Sequence, residues 1–215
     1  MSRRANTLLR CKRCRMLMPL CFCTEIPSLE TRTRLILLIH RIESRKPTNT
    51  GKLAALCLAN SEVVERGHQG IQTHDGVLSW PTNSQPLMVF PHEDAVPLAD
   101  YANHEKPISL IVPDGTWRQA FKMRKRMPQL ASVPCVSLPE GMETAYRLRV
   151  ERRPGGLATM EAIARAFGIL ESDHIEQELL RIFRIMVERA LWSRGSLTES
   201  DVKGGIPPSA RLRKP

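Results

Sequence analysis

The chain has 215 residues, of which 42% are hydrophobic and 25% are charged, and lysine plus arginine exceed aspartate plus glutamate by 32 to 22. These are ordinary values for a globular protein, and no apolar run approaches the roughly 20 residues that a membrane-spanning helix needs. The net charge of +10 favours a polyanionic partner, with nucleic acid as the leading class, although a basic surface also serves solubility alone. The apolar pair Leu8-Leu9 is too short for a signal-peptide core, so we expect a cytoplasmic protein.

Four of the six cysteines lie close together near the N-terminus. Cys11, Cys14, Cys21 and Cys23 form the pattern C-x2-C-x6-C-x-C, whose short spacings let four thiolates converge on one tetrahedral zinc ion. Disulfides are rare in the cytoplasm, so the cluster indicates metal ligands, with a redox dithiol or ordinary buried thiols as alternatives. Four cysteine ligands leave no coordination position for water, so the predicted zinc is structural.

Short apolar runs after the cysteine cluster predict the strands of a sheet. A helix is predicted to follow the first run, capped by Asn49 or Thr50. Strands that alternate with helices favour βαβ units, so the predicted fold class is α/β with a mainly parallel sheet. The predicted strands cover residues 34–40, 87–91, 108–112 and 133–139.

Two later segments have helical periodicity and are predicted to cover the sheet. They span residues 158–170 and 174–192, and the second carries an apolar stripe typical of core packing. Glycines, prolines and basic residues then follow, which predicts a mobile tail. The predicted regions are a zinc-binding module over 1–28, a main domain over 29–195 and a basic tail over 196–215.

The stretch Pro113-Asp114-Gly115-Thr116-Trp117 directly follows one predicted strand and opens a basic helix. In open α/β sheets, ligands bind at the carboxyl ends of the strands, where helix N-termini offer free N–H groups. Asp114 is the leading candidate for a catalytic group there, with capping of the following helix as the structural alternative. Gly115 is predicted to let a substrate approach the backbone closely.

The predicted helix after this corner has a cationic face. Ala120 and Met123 fall on the opposite side, flanked by Trp117 and Phe121, and we expect Trp117 to belong to the core rather than to stack on bases. A solvated face is the simpler explanation of the cations, but beside a candidate site they also suit phosphate groups. The residues predicted to contact a nucleic acid are Arg118, Lys122, Lys125 and Arg126.

A second group of candidates follows the last predicted strand. Arg147 and Arg149 project to the same side of an extended segment, where two guanidinium groups suit a carboxylate or a phosphate. Thr159 is predicted to be the N-cap of a helix with Glu161 in its first turn, and capping explains both residues without a function. His40, at the end of the first strand, is a candidate of second rank, because a lone histidine is more often structural.

Taken together, these motifs resemble those of the DTW-domain family of tRNA-uridine aminocarboxypropyltransferases, over the chain from Cys11 to about Trp192. The motifs are specific as a set, although none is decisive alone. They are the four-cysteine cluster, His40, Asn49-Thr50-Gly51, Pro113-Asp114-Gly115-Thr116-Trp117, Gln119-Ala120, Lys122-Met123, Tyr146-Arg147-Leu148-Arg149 and Thr159-x-Glu161-Ala162.

The resemblance implies a fold related to the SPOUT superfamily, with a knotted cofactor site, S-adenosylmethionine as donor and a tRNA uridine as acceptor. Bacterial members of this size modify the uridine of the variable loop. Transfer of the 3-amino-3-carboxypropyl group to uracil N3 releases methylthioadenosine, and Asp114 is the natural base for it. Arg147 or Arg149 is expected to hold the donor carboxylate and Glu161 its ammonium group. The residues expected to bind the donor are His40, Pro113, Gly115, Thr116, Arg147, Arg149, Thr159 and Glu161.

Two other functions remain open at this stage. One is a SPOUT-type RNA methyltransferase that uses the same donor. The other is a zinc-ribbon protein that binds RNA without catalysis. We expect tRNA and S-adenosylmethionine as partners and no membrane, and a monomer is the expected state.

Overall fold

The computed structural model describes residues 9–66, 78–139, 144–146, 148 and 156–211. Six strands form one sheet, in the order β2-β1-β5-β3-β6-β4, and all the pairings between them are parallel. The predicted α/β class with a mainly parallel sheet is therefore confirmed. The strands are β1 (Arg34–His40), β2 (Ser61–Arg66), β3 (Gln85–Val89), β4 (Val96–Pro97), β5 (Ile108–Asp114) and β6 (Cys135–Ser137).

Six α-helices and four 3₁₀ helices occur in the described part of the chain. The 3₁₀ helices span Met18–Leu20, Leu98–Tyr101, Pro128–Leu130 and Glu199–Asp201. None of the helices there is both long and apolar enough to cross a membrane. The α-helices are α1 (Arg41–Ser44), α2 (Thr50–Cys57), α3 (Trp117–Arg126), α4 (Thr159–Leu170), α5 (Asp173–Ser193) and α6 (Pro208–Arg211).

The central strands β1 and β5 are apolar along most of their length because both faces of the sheet are covered. On one face, Leu35, Leu37 and Ile39 of β1 share a core with α2, α4 and α5. On the other face, Ile36 and Leu38 share a second core with α3. The sheet is thus the middle of three layers, and its carboxyl edge receives the N-termini of helices from both sides.

The cysteine-rich segment is part of the main core rather than a separate body. Met16, Leu20 and Phe22 lie in the same apolar cluster as Leu179 and Phe183 of α5. The predicted module of residues 1–28 therefore depends on the main domain for much of its burial.

The prediction of a mobile tail over 196–215 is wrong for the part that the structure describes. Val202, Ile206 and Ala210 are buried, and the Ser209 hydroxyl donates to the carbonyl of Pro19. The glycines and prolines of this segment turn the chain back onto the molecule instead of leaving it in solvent. Residues 212–215 lie outside the described part.

Two predicted features of the chain between β6 and α4 stay predictions. Residues 140–143, 147 and 149–155 of this connection lie outside the described residues. The knot that the resemblance implies, and the positions of Arg147 and Arg149, are therefore not tested.

Arg189 of α5 joins the cysteine-rich segment and the C-terminal segment to the core. Its side chain is only 4% exposed, and all of its hydrogen bonds go to backbone carbonyls. It donates to Leu20 and Cys21 on one side, at 3.4 and 3.0 Å, and to Gly204 and Gly205 on the other, at 3.0 and 2.9 Å. Burial lowers the pKa of this guanidinium, but these carbonyls satisfy its donors.

We predict that Arg189→Met lowers the free energy of unfolding by about 2 kcal/mol, because it leaves the buried carbonyl of Leu20 and three partly buried carbonyls without their donor. Urea denaturation measures the change. Arg184→Met is the matched control, since Arg184 lies on the same helix and is exposed, and its effect should stay within about 0.5 kcal/mol. Equal stability of the two variants would contradict the role given to Arg189.

Candidate active site

The crevice between β1 and β5 is where the chain connections leave the sheet in opposite directions. From β1 the chain goes to β2 on one side, whereas from β5 it goes to β6, beyond β3, on the other. In open α/β sheets, ligands bind at such a point, outside the carboxyl ends of the strands. His40 ends β1 and Asp114 ends β5, so two of the predicted site residues lie at this crevice.

Asp114 is held by donors from two helix N-termini. Asn49 Nδ2 donates to its Oδ2 atom at 2.6 Å, and Thr159 Oγ1 donates to its Oδ1 atom at 2.8 Å. The carboxyl group is buried, with the residue only 6% exposed. Because a buried carboxylate needs hydrogen bonds, these donors compensate for part of its lost hydration and orient it.

Asn49 has a second task that fixes its side chain. It is the N-cap of α2, where its Oδ1 atom accepts a hydrogen bond from Lys52 N at 2.8 Å, so the amide faces Asp114 with its donor end. The predicted cap is confirmed. Gly51 follows, and a Cβ atom there would come within 2.7 Å of Asp114 Oδ2 and 2.8 Å of Leu37 Cδ1. The Asn-Thr-Gly motif thus combines a donor with the space that the carboxylate requires.

The prediction that Thr159 is an N-cap is wrong. Ala158 occupies the N-cap position of α4, and Thr159 is the first helical residue. Its hydroxyl is free of a capping role and reaches Asp114 instead. The sequence pattern misplaced the helix start by one residue, and this shift is what brings Thr159 into the site.

Asp114 does not act as the cap of the helix that follows it. Thr116 is the N-cap of α3: its hydroxyl accepts from Gln119 N at 3.3 Å, while Gln119 Oε1 accepts from Thr116 N at 2.7 Å. This reciprocal capping box pairs the N–H groups of Thr116 and Gln119 through side chains other than that of Asp114. The Gln119 side chain also covers Gly115, where a Cβ atom would lie 2.9 Å from Gln119 Oε1.

His40 connects the end of β1 to α3. Its Nδ1 atom accepts from Ile42 N at 3.2 Å as the N-cap of α1, and it lies 3.1 Å from Gln119 Nε2. An accepting Nδ1 puts the proton of the neutral imidazole on Nε2. Pro113 lies in β5 opposite Leu38, one residue before the carboxylate.

Both oxygens of Glu161 already accept hydrogen bonds from within the chain. Oε1 accepts from Ala145 N at 2.7 Å, and Oε2 accepts from Thr144 Oγ1 and Ala158 N at 2.5 and 2.8 Å. The residue is 6% exposed. Glu161 therefore caps α4, as the capping explanation predicted. It also holds the 144–145 segment against the helix, a contact that sequence reasoning missed because the partners lie in an irregular loop.

The cationic side chains of α3 are exposed, as predicted. Its aromatic side chains are exposed too, which differs from the prediction. Trp117 is 42% exposed, so its predicted place in the core is wrong; its ring lies 6.3 Å from that of Phe90, at an angle of 56°. Phe121 is 54% exposed, and only Ala120 and Met123 of this helix are buried. The exposed cations are Arg118, Lys122, Lys125 and Arg126.

The four clustered cysteines have the geometry of a metal site. Their sulfurs all lie within 4.8 Å of one another, with Cys11 and Cys23 Sγ atoms 3.4 Å apart and those of Cys14 and Cys21 3.7 Å apart. A tetrahedral zinc ion with Zn–S bonds of about 2.3 Å holds its sulfurs about 3.8 Å apart. The four thiols therefore fit one tetrahedral ion.

A tight turn presents the first two thiols of this cluster. Arg15 follows Cys14 with a φ of 63°, and its N–H donates to the Cys11 carbonyl at 3.0 Å. Burial opposes ionisation of Cys11, but hydrogen bonds from the backbone N–H groups of Cys14 and Arg13 and from the Cys23 thiol outweigh it and lower the pKa to about 6. A thiol of low pKa in such a turn is a ready metal ligand.

Comparison with known proteins gives a family and several relatives. A DTW-domain profile matches residues 8–191. "tRNA-uridine aminocarboxypropyltransferase 2" from Drosophila melanogaster is 27% identical over 184 residues, which cover 80% of this chain and 71% of that protein. The protein of the same name from Macaca fascicularis is 29% identical over 178 residues, which cover 80% of this chain and 60% of that protein.

One plant relative and one solved structure are more distant. "tRNA-uridine aminocarboxypropyltransferase A" from Arabidopsis thaliana is 26% identical over 209 residues, covering 82% of this chain and 79% of that protein. The SAM-dependent rRNA:acp-transferase Tsr3 from Vulcanisaeta distributa aligns with a TM-score of 0.47 and 17% identity, over 83% of this chain and 88% of that one.

Proposed function

The chain belongs to the DTW-domain family, because the family profile matches 8–191 of its 215 residues, and on this premise we propose that it is a tRNA-uridine aminocarboxypropyltransferase. The proposed reaction transfers the 3-amino-3-carboxypropyl group of S-adenosylmethionine to N3 of a tRNA uridine and releases methylthioadenosine. The uridine of the variable loop is the proposed target. The names of three relatives support the activity, and the net charge of +10 supports an RNA substrate.

The observation that carries the proposal is the position of Asp114. A buried carboxylate lies at the switch point of the sheet, and Asn49 and Thr159 donate to it from the N-termini of two helices. A carboxylate is the kind of group that can accept a hydrogen bond and then a proton from a substrate N–H group.

Asp114 acts as the general base in the proposed step. Uracil N3 gives its proton to the carboxylate as its lone pair forms a bond to the methylene carbon beside the sulfonium. The carbon–sulfur bond breaks, and its electron pair neutralises the sulfur of methylthioadenosine. Proton transfer accompanies formation of the new bond, because the N3 proton is most acidic at that point.

The donor's amino-acid end needs partners that align its methylene carbon with N3 rather than its methyl group. Arg147 or Arg149 remains our proposed partner of the donor carboxylate. Because the Glu161 oxygens are engaged within the chain, we now assign Glu161 to shaping the site instead of pairing with the ammonium group. His40, Pro113, Gly115 and Thr116 form the wall of the same crevice in this proposal.

One experiment tests the proposed function directly. The protein is incubated with S-adenosylmethionine and unmodified tRNA, and both products are analysed by nuclease digestion and mass spectrometry. The proposal requires methylthioadenosine and a uridine that carries the aminocarboxypropyl group. Adenosylhomocysteine with a methylated nucleotide would indicate a methyltransferase instead, and tRNA binding without consumption of the donor would indicate a non-catalytic RNA-binding protein.

Asp114→Asn should lower the transfer rate by about 10²–10⁴-fold, because asparagine keeps the shape of the side chain but cannot take the N3 proton. The rate is measured with saturating donor and tRNA. Asp173→Asn is the control, since Asp173 is an exposed carboxylate at the start of α5, beyond the end of α4 that lies far from Thr159, and it should react like the wild type. Near-normal turnover by a folded, tRNA-binding Asp114→Asn protein would show that the base is another group.

We further propose that the four-cysteine site holds one structural zinc ion, supported by its sulfur geometry. The protein should contain about one zinc per chain, and Cys14→Ser or a strong chelator should remove it and lower the melting temperature. Metal analysis and thermal unfolding measure the two effects. Cys135→Ser, outside the cluster, should keep the zinc, and equal metal content in both variants would contradict the site.

A further inference from the structure

The exposed face of α3 combines aromatic and cationic side chains beside the crevice. Trp117 and Phe121 are four residues apart and so lie one above the other on the helix surface. The helix sequence Trp117–Arg126 contains cations next to each aromatic residue and no acidic residue. Because the two exposed rings are adjacent, they form a contiguous apolar patch within this cationic surface, and such patches are candidate contact sites.

This face lies close to the candidate active site. The helix begins three residues after Asp114, and its Gln119 side chain lies against His40 at the end of β1. Next to His40, Ile42 of α1 is 60% exposed, between the cations Arg41 and Arg45. The apolar and cationic groups therefore flank the carboxyl edge at which Asp114 lies.

A protein partner fits this surface poorly. The centres of protein–protein interfaces are depleted in lysine and in charge generally, whereas here every exposed aromatic residue has a cation next to it. Proteins that bind single-stranded nucleic acid combine a cationic surface with aromatic side chains on which bases stack. Charge complementarity therefore selects RNA as the occupant.

The proposed reaction also creates a need for such a surface. N3 lies on the base-pairing edge of uracil, so the target base must leave its neighbours to reach a buried carboxylate, and unstacking costs a few kcal/mol. Unpaired RNA bases are commonly received by aromatic side chains. When the target uridine leaves the stack, the neighbouring base loses a stacking partner. The exposed ring of Phe121, about one helix turn from the start of α3, can replace that partner.

We propose that Phe121 is a stacking platform for an unpaired base adjacent to the target uridine, with Trp117 beside it and the α3 cations on the phosphates. This proposal rests on the proposed function for its substrate, because it takes the loop of an RNA as the ligand. It assigns selectivity for unpaired over paired RNA to Phe121, and the salt-dependent part of the affinity to the cations.

The test measures binding of a fluorescein-labelled RNA hairpin with a uridine-containing loop, by anisotropy and without donor. A blunt duplex of the same sequence composition is the comparison RNA. Phe121→Leu removes the aromatic face but keeps an apolar side chain, and Phe121→Trp keeps a larger face. Val63→Thr on β2 is the matched control for a change at another exposed apolar residue. Thermal unfolding confirms that each variant is folded.

Phe121→Leu should weaken hairpin binding about tenfold, while duplex binding and the slope of affinity against salt stay unchanged. Phe121→Trp and Val63→Thr should bind the hairpin within about twofold of the wild type. A 2-aminopurine in the loop should be quenched by the wild type and less by Phe121→Leu. Unchanged hairpin binding by Phe121→Leu, an equal loss for duplex and hairpin, or a change only in self-association would overturn the proposal.

Failure of this proposal and failure of the proposed function give different results. If the wild type transfers no group but Phe121→Leu selectively loses hairpin binding, the activity is wrong and the stacking platform stands. If the wild type modifies tRNA and Phe121→Leu binds the hairpin normally, the platform is wrong and the activity stands.

Discussion

A buried carboxylate at the end of a central strand is the constraint on which this site depends. Asp114 has lost most of its contact with water, so hydrogen bonds inside the protein must compensate for the lost hydration. Asn49 and Thr159 supply them from the N-termini of α2 and α4, and both helices must pack on the same face of the sheet for this to happen. The absence of a side chain at Gly51 leaves room for the carboxylate. The orientation of the Asp114 carboxylate thus depends on how α2 and α4 pack on the sheet.

Other parts of the molecule, away from Asp114, stabilise the fold. Arg189 links the cysteine-rich segment to the C-terminal segment through backbone carbonyls, and the four thiols close the first of these segments in a geometry that suits a metal. Neither feature involves the carboxyl edge of the sheet. The edge can therefore keep exposed aromatic side chains and loops for a ligand, while the folded state is secured by groups that the reaction does not use.

Apolar runs predicted the central strands because β1 and β5 are buried on both faces and leave no polar alternation to misread. They missed β2, whose charged residues are typical of an edge strand, and β4, which has two residues. Asp114 was found from its place between a strand and a helix. Its hydrogen bonds to Asn49 and Thr159 were not predicted, because these residues lie 65 and 45 positions away and only helix packing brings them to the carboxylate. Helical periodicity placed Trp117 in the core because it lies at the margin of the apolar side of α3. The sheet covers only the middle of that side, at Ala120 and Met123, and periodicity does not give the width of the covered part.

We infer that Asn49 and Thr159 make Asp114 competent for the proposed transfer step. Single-turnover kinetics on the double variant Asn49→Ala/Thr159→Val tests this inference, because Asp114 itself is retained while the hydrogen bonds from these two residues are lost. The account predicts that the rate constant for transfer falls by at least about tenfold, with donor affinity changed by less than about threefold, since misplacement of a reacting group affects the chemical step. A folded double variant that transfers the group at the wild-type rate would contradict it.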